Sequence, residues 1–287
     1  MASGAIDTHT HVISSDARHY PRAPIGGHQS DWSRERPVDV AQMLEAMDEA
    51  GVAKSILVQA STCYGHDNSY VADAIAAHPE RFTGVFSADV LAPAAVATMR
   101  HWIERGFTGM RLFTTGSTMP GQQMEWLDDP RCFPAWNYAS EAGISICLQM
   151  TAKAIPQVET LLKRFPKVRV ILDHFARPVL DDGPPYEKAS SLWALARYEN
   201  LYLKATPHTF LAARQGKATP ASFFRQAVDT FGTARIAWGS NFPAAEGTLA
   251  ALLAAARDSI AVLTPDEQEQ IFTRTALSLY PALNNRA

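Results

Sequence analysis

The chain has 287 residues, 47% of them hydrophobic, with 26 basic against 29 acidic side chains and a formal net charge of -3. That length supports a sizeable core, and mild acidity without a long basic run argues against a nucleic-acid or anionic-membrane partner. No apolar stretch approaches a membrane span, and three scattered cysteines (Cys63, Cys132, Cys147) make no disulfide framework, so a soluble cytoplasmic protein is expected.

Short β-branched runs alternate with longer amphipathic ones from end to end. The first strand is predicted over Ala5–His11, followed by a helix over Val38–Ala50 that Gly51 ends. Strands at Lys54–Ala60, Thr83–Ala88 and Gly109–Leu112 then alternate with helices at Asn68–His78, Ala94–Arg105 and Pro130–Glu141, with Gly143 following the last of these as a helix end. Strands at Ser145–Gln149, Arg169–Leu172, Leu201–Ala205 and Arg235–Gly239 continue the rhythm, with helices at Ile155–Phe165, Ser190–Arg197, Pro220–Phe231 and Leu249–Ala261. A ninth helix is announced by Thr264-Pro265-Asp266-Glu267, a capping box with proline in the first turn. Eight strands alternating with eight helices predict an α/β fold, a closed (β/α)8 barrel, with residues 1–287 as one domain. An open doubly wound sheet is the runner-up, but no glycine-rich turn follows the first strand.

Long segments at Ser14–Arg36 and Thr114–Asp129 break the rhythm after strands 1 and 4, and Asp181–Lys188 and His208–Thr219 read as further rim loops. All follow carboxyl ends of strands, the barrel face where active sites sit. Polar residues recur at that same end. Strand 1 ends in His9-Thr10-His11, whose alternate positions put both imidazoles on one face, with Asp7 in the same parity. Arg111, Gln149, His174, Arg177, Lys204, His208 and Asn241 lie at or just beyond later strand ends. Arginine forks suit carboxylates, so Arg111 and Arg177 point to a small anionic substrate. Lys204 reads either as an anion contact or as the partner of an acid inside the barrel. Asp173 adjoins His174 but has opposite parity in an extended strand, so it is not expected to orient that imidazole.

Five segments in order, IDTHTH (Ile6–His11), YGHDNSYVADAIAAHPERFTGV (Tyr64–Val85), GFTGMRL (Gly106–Leu112), LDHFARP (Leu172–Pro178) and WGSNFP (Trp238–Pro243), carry a resemblance over nearly the full length. The chain resembles the amidohydrolase superfamily in its amidohydrolase 2 branch, and within it the 2-pyrone-4,6-dicarboxylate lactonase-like hydrolases. The resemblance implies a barrel hydrolase in which His9, His11, His174 and the residue at 241 surround the reacting carbonyl. Two positions depart from the pattern. The family commonly has an aspartate base where this chain has Asn241, and zinc-dependent members have histidine where it has Gln149. An amide cannot take a proton near neutral pH and is a poor zinc donor.

The expected activity is therefore hydrolysis of a small carboxylated lactone. His9, His11 and His174 would donate to the oxyanion, Asn241 would position water, and Arg111, Gln149, Arg177, Lys204 and His208 would contact substrate. General-base candidates are His174, His208 and Asp67. No cofactor is favoured, zinc on His9 and His11 being the alternative. Two other readings stand beside this one: a zinc-dependent decarboxylase of an aromatic or muconate-type acid, and a binding protein that lacks the base. A homo-oligomer is compatible with the fold.

Overall fold

The computed structural model describes residues 4–114 and 126–284. Eight parallel strands run in sequence order around one sheet: β1 (Ala5–Thr10), β2 (Val52–Val58), β3 (Phe82–Ser87), β4 (Phe107–Phe113), β5 (Ser145–Gln149), β6 (Val170–Leu172), β7 (Leu201–Ala205) and β8 (Ile236–Trp238). This is the expected (β/α)8 barrel. Helices between the strands cover the outer face, and their apolar sides join the outward strand residues in a continuous core that includes Met43, Trp136, Leu161 and Phe224. The inward residues Ile6, Ile56, Val58, Val85, Cys147, Ile171 and Ala237 form a separate interior cluster. Ala276, Leu279, Tyr280 and Leu283 from the carboxyl-terminal segment pack into that cluster, and Ser145 at the start of β5 donates to the Leu279 carbonyl. The amino-terminal mouth of the barrel is thereby plugged, and the opposite mouth is left for chemistry.

The punctuation read from sequence takes physical form. Gly51 and Gly143 end their helices at φ 69° and 67°, a left-handed geometry that glycine reaches without strain. Thr264 and Glu267 cap the helix Pro265–Glu269 reciprocally. Some expectations need correction. The segment Ser14–Arg36 is not all loop, because the helix Asp31–Glu35 lies within it. A helix at Pro207–Ala212 likewise occupies part of the predicted rim loop after β7. Ser190–Arg197 divides into a short α-helix and a 3-10 turn. Only Thr114 and 126–129 of the second long loop are among the described residues. Among the described residues no helix is long and apolar enough to cross a membrane.

The barrel closes between β1 and the residues that follow β8. Asn241 N donates to the His9 carbonyl at 2.8 Å and His11 N to the Phe242 carbonyl at 2.9 Å, with a parallel bridge between Thr10 and Phe242. Asp7 Oδ1 clasps both sides of this seam, accepting from His9 N and Ser240 N, each at 2.9 Å. Gly239 permits the approach, since a Cβ there would stand 2.7 Å from His9 Cβ. A register shift in β1 between Asp7 and Thr10 falls on Thr8 and His9, the kind of irregularity that re-aims side chains beside a site.

Burial pushes the Asp7 carboxyl up to about 6, against the pull of its hydrogen bonds from Ser240 and His9 and of the Lys204 charge. Its folded pKa exceeds the ordinary 3.8, so its contribution to stability is full below that value and is lost as pH rises through about 6. Asp7→Asn keeps the acceptor oxygen and removes the charge. Denaturant titrations should find the variant gaining on the wild type between pH 4 and 6, by up to about 3 kcal/mol at pH 8. A pH-independent difference would contradict the assignment.

Candidate active site

The open mouth holds a cavity of about 440 Å³, within the range of small-molecule sites. Seven residues expected from sequence line it: His11, Arg111, Gln149, His174, Arg177, His208 and Asn241. His9 and Lys204, also expected, are fully buried and are not among the residues that line it. Asp67 is absent from the lining as well, and its carboxylate accepts from the backbone N–H and hydroxyl of Ser69. Trp32, carried by the helix Asp31–Glu35, stands with its ring centroid 5.2 Å from that of His11. Gln59, Ser61 and Thr62 complete a polar wall beyond β2.

The charged centre of the site is Asp173. Its Oδ2 accepts from Arg111 Nε at 2.7 Å, its Oδ1 lies 2.9 Å from Lys204 Nζ, and all three side chains are buried. Burial alone would raise this carboxyl, but the two cations hold it well below the usual carboxylate range. The parity argument set it on the face opposite His174. Extended geometry stops at Leu172, and residues 174–177 take φ values of 56°, 54°, 56° and 52°, a left-handed turn made without glycine. Each such residue costs about 1–2 kcal/mol. Opposing that strain are the ion pairs of Asp173 and the burial of Phe175 against Phe223 and Phe224. Asp173 shares the inward parity of Ile171 and so reaches Arg111 and Lys204, while the turn brings both His174 and Arg177 to the cavity wall. The sequence signal that could have found Asp173 is the buried lysine itself, which requires a counter-charge.

Three imidazoles meet here, with ring centroids 5.0 Å apart for His9–His11 and 5.3 Å for His9–His174. They differ in what they offer. His11 Nδ1 lies 2.7 Å from the Val58 carbonyl, an acceptor only, so the ring proton sits on Nδ1. Burial and Arg111 push this histidine down to about 3, so it is neutral and Nε2 carries a lone pair. The expected N–H donor at His11 is therefore corrected to an acceptor, with the Asn241 amide within hydrogen-bonding reach of the ring. His9 Nε2 is buried without a partner, and Lys204 Nζ approaches its Nδ1 at 3.3 Å. His174 Nδ1 meets the Thr206 hydroxyl at 2.7 Å, a group that both donates and accepts. Burial drives His174 well below the ordinary histidine value, with His9 adding to the effect.

Arg177 is the cation left without an acid. Among the described residues no carboxylate pairs with it, and its buried Nε has no hydrogen-bond partner. Burial and Arg111 lower its pKa from the usual arginine value, yet a guanidinium stays charged. His208, at the mouth, is pushed down to about 4 by desolvation and by Arg177. Among the described residues no group of three His, Cys, Asp or Glu is placed to hold a metal ion.

The Amidohydrolase family profile matches residues 6–282. The L-fucono-1,5-lactonase of Burkholderia ambifaria is 24% identical over 96% of this chain and 94% of its own. A putative 2-pyrone-4,6-dicarboxylic acid hydrolase from Pseudomonas putida superposes with a TM-score of 0.78 at 20% identity, over 98% of this chain and 99% of that one. A dihydroxybenzoic acid decarboxylase from Polaromonas sp. JS666, crystallised with manganese and an inhibitor, has a TM-score of 0.70 at 16% identity, over 99% of this chain and 98% of that one. With its motifs in order along an eight-stranded barrel and a family match over almost its whole length, the chain belongs to the amidohydrolase family.

Proposed function

We propose that this chain is a hydrolase that opens a small lactone bearing a carboxylate. The observation that carries the reading is Arg177, a cation facing the cavity with no acidic partner among the described residues. A substrate carboxylate supplies that partner, and Arg111 stands in the same wall. The lactonase relative and the pyrone-dicarboxylate hydrolase neighbour support the reaction class.

The imidazoles divide the work. The carbonyl oxygen of the bound lactone takes a hydrogen bond from His174, which lines the cavity and holds the Thr206 hydroxyl at its other nitrogen, and this bond stabilises the oxyanion as it forms. Water held by the Asn241 amide attacks the carbonyl carbon and gives its proton to His11 Nε2. The ring C–O bond then breaks, and the alkoxide recovers that proton from His11 to yield a hydroxy acid. Two features offset the weakness of His11 as a base. Lactones are reactive esters, and a carboxylate bound at Arg111 opposes one of the charges that depress the imidazole.

A dication does not suit this donor set. Gln149 and Asn241 offer neutral amides, and Asp173, the carboxylate near the imidazoles, is already neutralised by Arg111 on one oxygen and Lys204 beside the other. Decarboxylation, the activity named for the manganese-bound Polaromonas neighbour, gains no support from these residues.

Arg177→Met should raise KM for a carboxylated lactone by about 10–100-fold with a smaller effect on kcat, as removal of one charge-assisted contact requires. Equal steady-state constants in the two proteins would remove the carboxylate subsite. Asn241→Asp, which restores a carboxylate base, should raise kcat/KM by about 10-fold or more. The wild-type pH profile should show no acid limb near 6.5, because His11 stays unprotonated down to about 3. Absence of hydrolysis by both proteins across a panel of carboxylated lactones would defeat the proposal.

A further inference from the structure

We infer that Lys204 is a positioning residue that keeps the His9 proton on Nε2, the ring nitrogen without a protein partner, behind the two cavity-lining imidazoles His11 and His174. Lys204 projects from β7 into the barrel, is fully buried, and is not part of the cavity wall. Its ammonium lies 2.9 Å from Asp173 Oδ1, 3.3 Å from His9 Nδ1 and 3.7 Å from Cys147 Sγ. An ammonium has only protons to give, so its contact with Nδ1 is attractive only when that nitrogen carries a lone pair. The proton of neutral His9 must then sit on Nε2, which is the ring nitrogen that is buried and unpartnered.

The competing influence is Asp173, whose Oδ1 would draw a proton to Nδ1. That oxygen stands 3.6 Å from Nδ1, beyond hydrogen-bond range, and is held by Lys204 at the shorter distance. Lys204 therefore orders the pair in two ways. It occupies the carboxylate, and it donates to the nitrogen the carboxylate would otherwise protonate. His11 has the reverse arrangement, its Nδ1–H fixed by the Val58 carbonyl. Two neighbouring histidines of one strand thus present opposite faces of imidazole chemistry, a donor and an acceptor, through two different buried partners.

The kinetic consequence rests on the lactonase reading, whereas the tautomer does not. The protein labelled with 15N-histidine, with His9 assigned by a His9→Gln variant, gives ring nitrogen shifts that separate N–H from lone-pair nitrogen. The expected wild-type result is an unprotonated Nδ1 and a protonated Nε2 at neutral pH. Lys204→Met should weaken that preference and, through the His9 ring that packs against both His11 and His174, lower kcat by about 10-fold with KM nearly unchanged. Lys204→Arg, again a donor without a lone pair, should restore much of the tautomer preference and of kcat. Lys204→Met leaves Asp173 paired with Arg111, and the wild-type tautomer measurement decides the matter where that variant does not fold. A protonated Nδ1 in wild-type His9 overturns the inference even if lactones are hydrolysed. A Lys204→Met variant with raised KM and unchanged kcat also overturns it, by making Lys204 a substrate contact. Absence of lactone turnover with the expected tautomer leaves the positioning role intact and defeats only the proposed reaction.

Discussion

One buried carboxylate shared by two buried cations organises this site. Asp173 accepts from Arg111 on one oxygen and faces Lys204 on the other, at 2.7 and 2.9 Å. Separating any of the three would leave a charge stranded in the barrel, at a cost of several kcal/mol. The arrangement fixes β4, β6 and β7 relative to one another at the open mouth. It also sets the electrostatic character of the cavity. Lys204, Arg111 and Arg177 exceed the carboxylates Asp173 and Asp7 by one even when Asp7 is ionised. The surplus, carried by Arg177, calls for an anion from outside.

The same field explains the imidazoles. Buried beside cations, His11 and His174 are driven to neutrality, so they act through their lone pairs and N–H groups. Neutral histidines are useful only if their tautomers are specified, and buried neighbours of fixed polarity provide that for two of them: a backbone carbonyl for His11 and an ammonium for His9. The seam of the barrel aligns these groups, because the backbone bonds that close β1 against the residues after β8 are made by His9, His11, Asn241 and Phe242. Closure of the fold and assembly of the site are one event.

Most of the architecture was legible because hydrophobic period and helix caps are local signals. The alternation of runs, Gly51, Gly143 and the Thr264–Glu267 box all read correctly, and polar residues at strand ends marked the cavity. What failed was inference across a change of backbone geometry. As expected, Asp173 does not orient His174. Alternation put the two on opposite faces, however, whereas a left-handed turn from His174 onward brings both to the mouth, which no periodicity announces. Lys204 was left between anion contact and internal ion pair because its partner was that same aspartate. His11 was expected to donate because its tautomer depends on Val58, a residue 47 positions away. Trp32 entered the cavity through a short helix inside a segment that composition alone describes as loop.

The central claim is that an anionic group on the substrate completes a site with surplus positive charge. It is tested most directly by comparing kcat/KM for a lactone carrying a free carboxylate with that for its methyl ester, in which the charge is removed and the reacting ring is retained. The account predicts that the carboxylate is preferred by about 10–100-fold, and that the preference shrinks as ionic strength rises. Equal rates for the two compounds, or a preference for the ester, would contradict it.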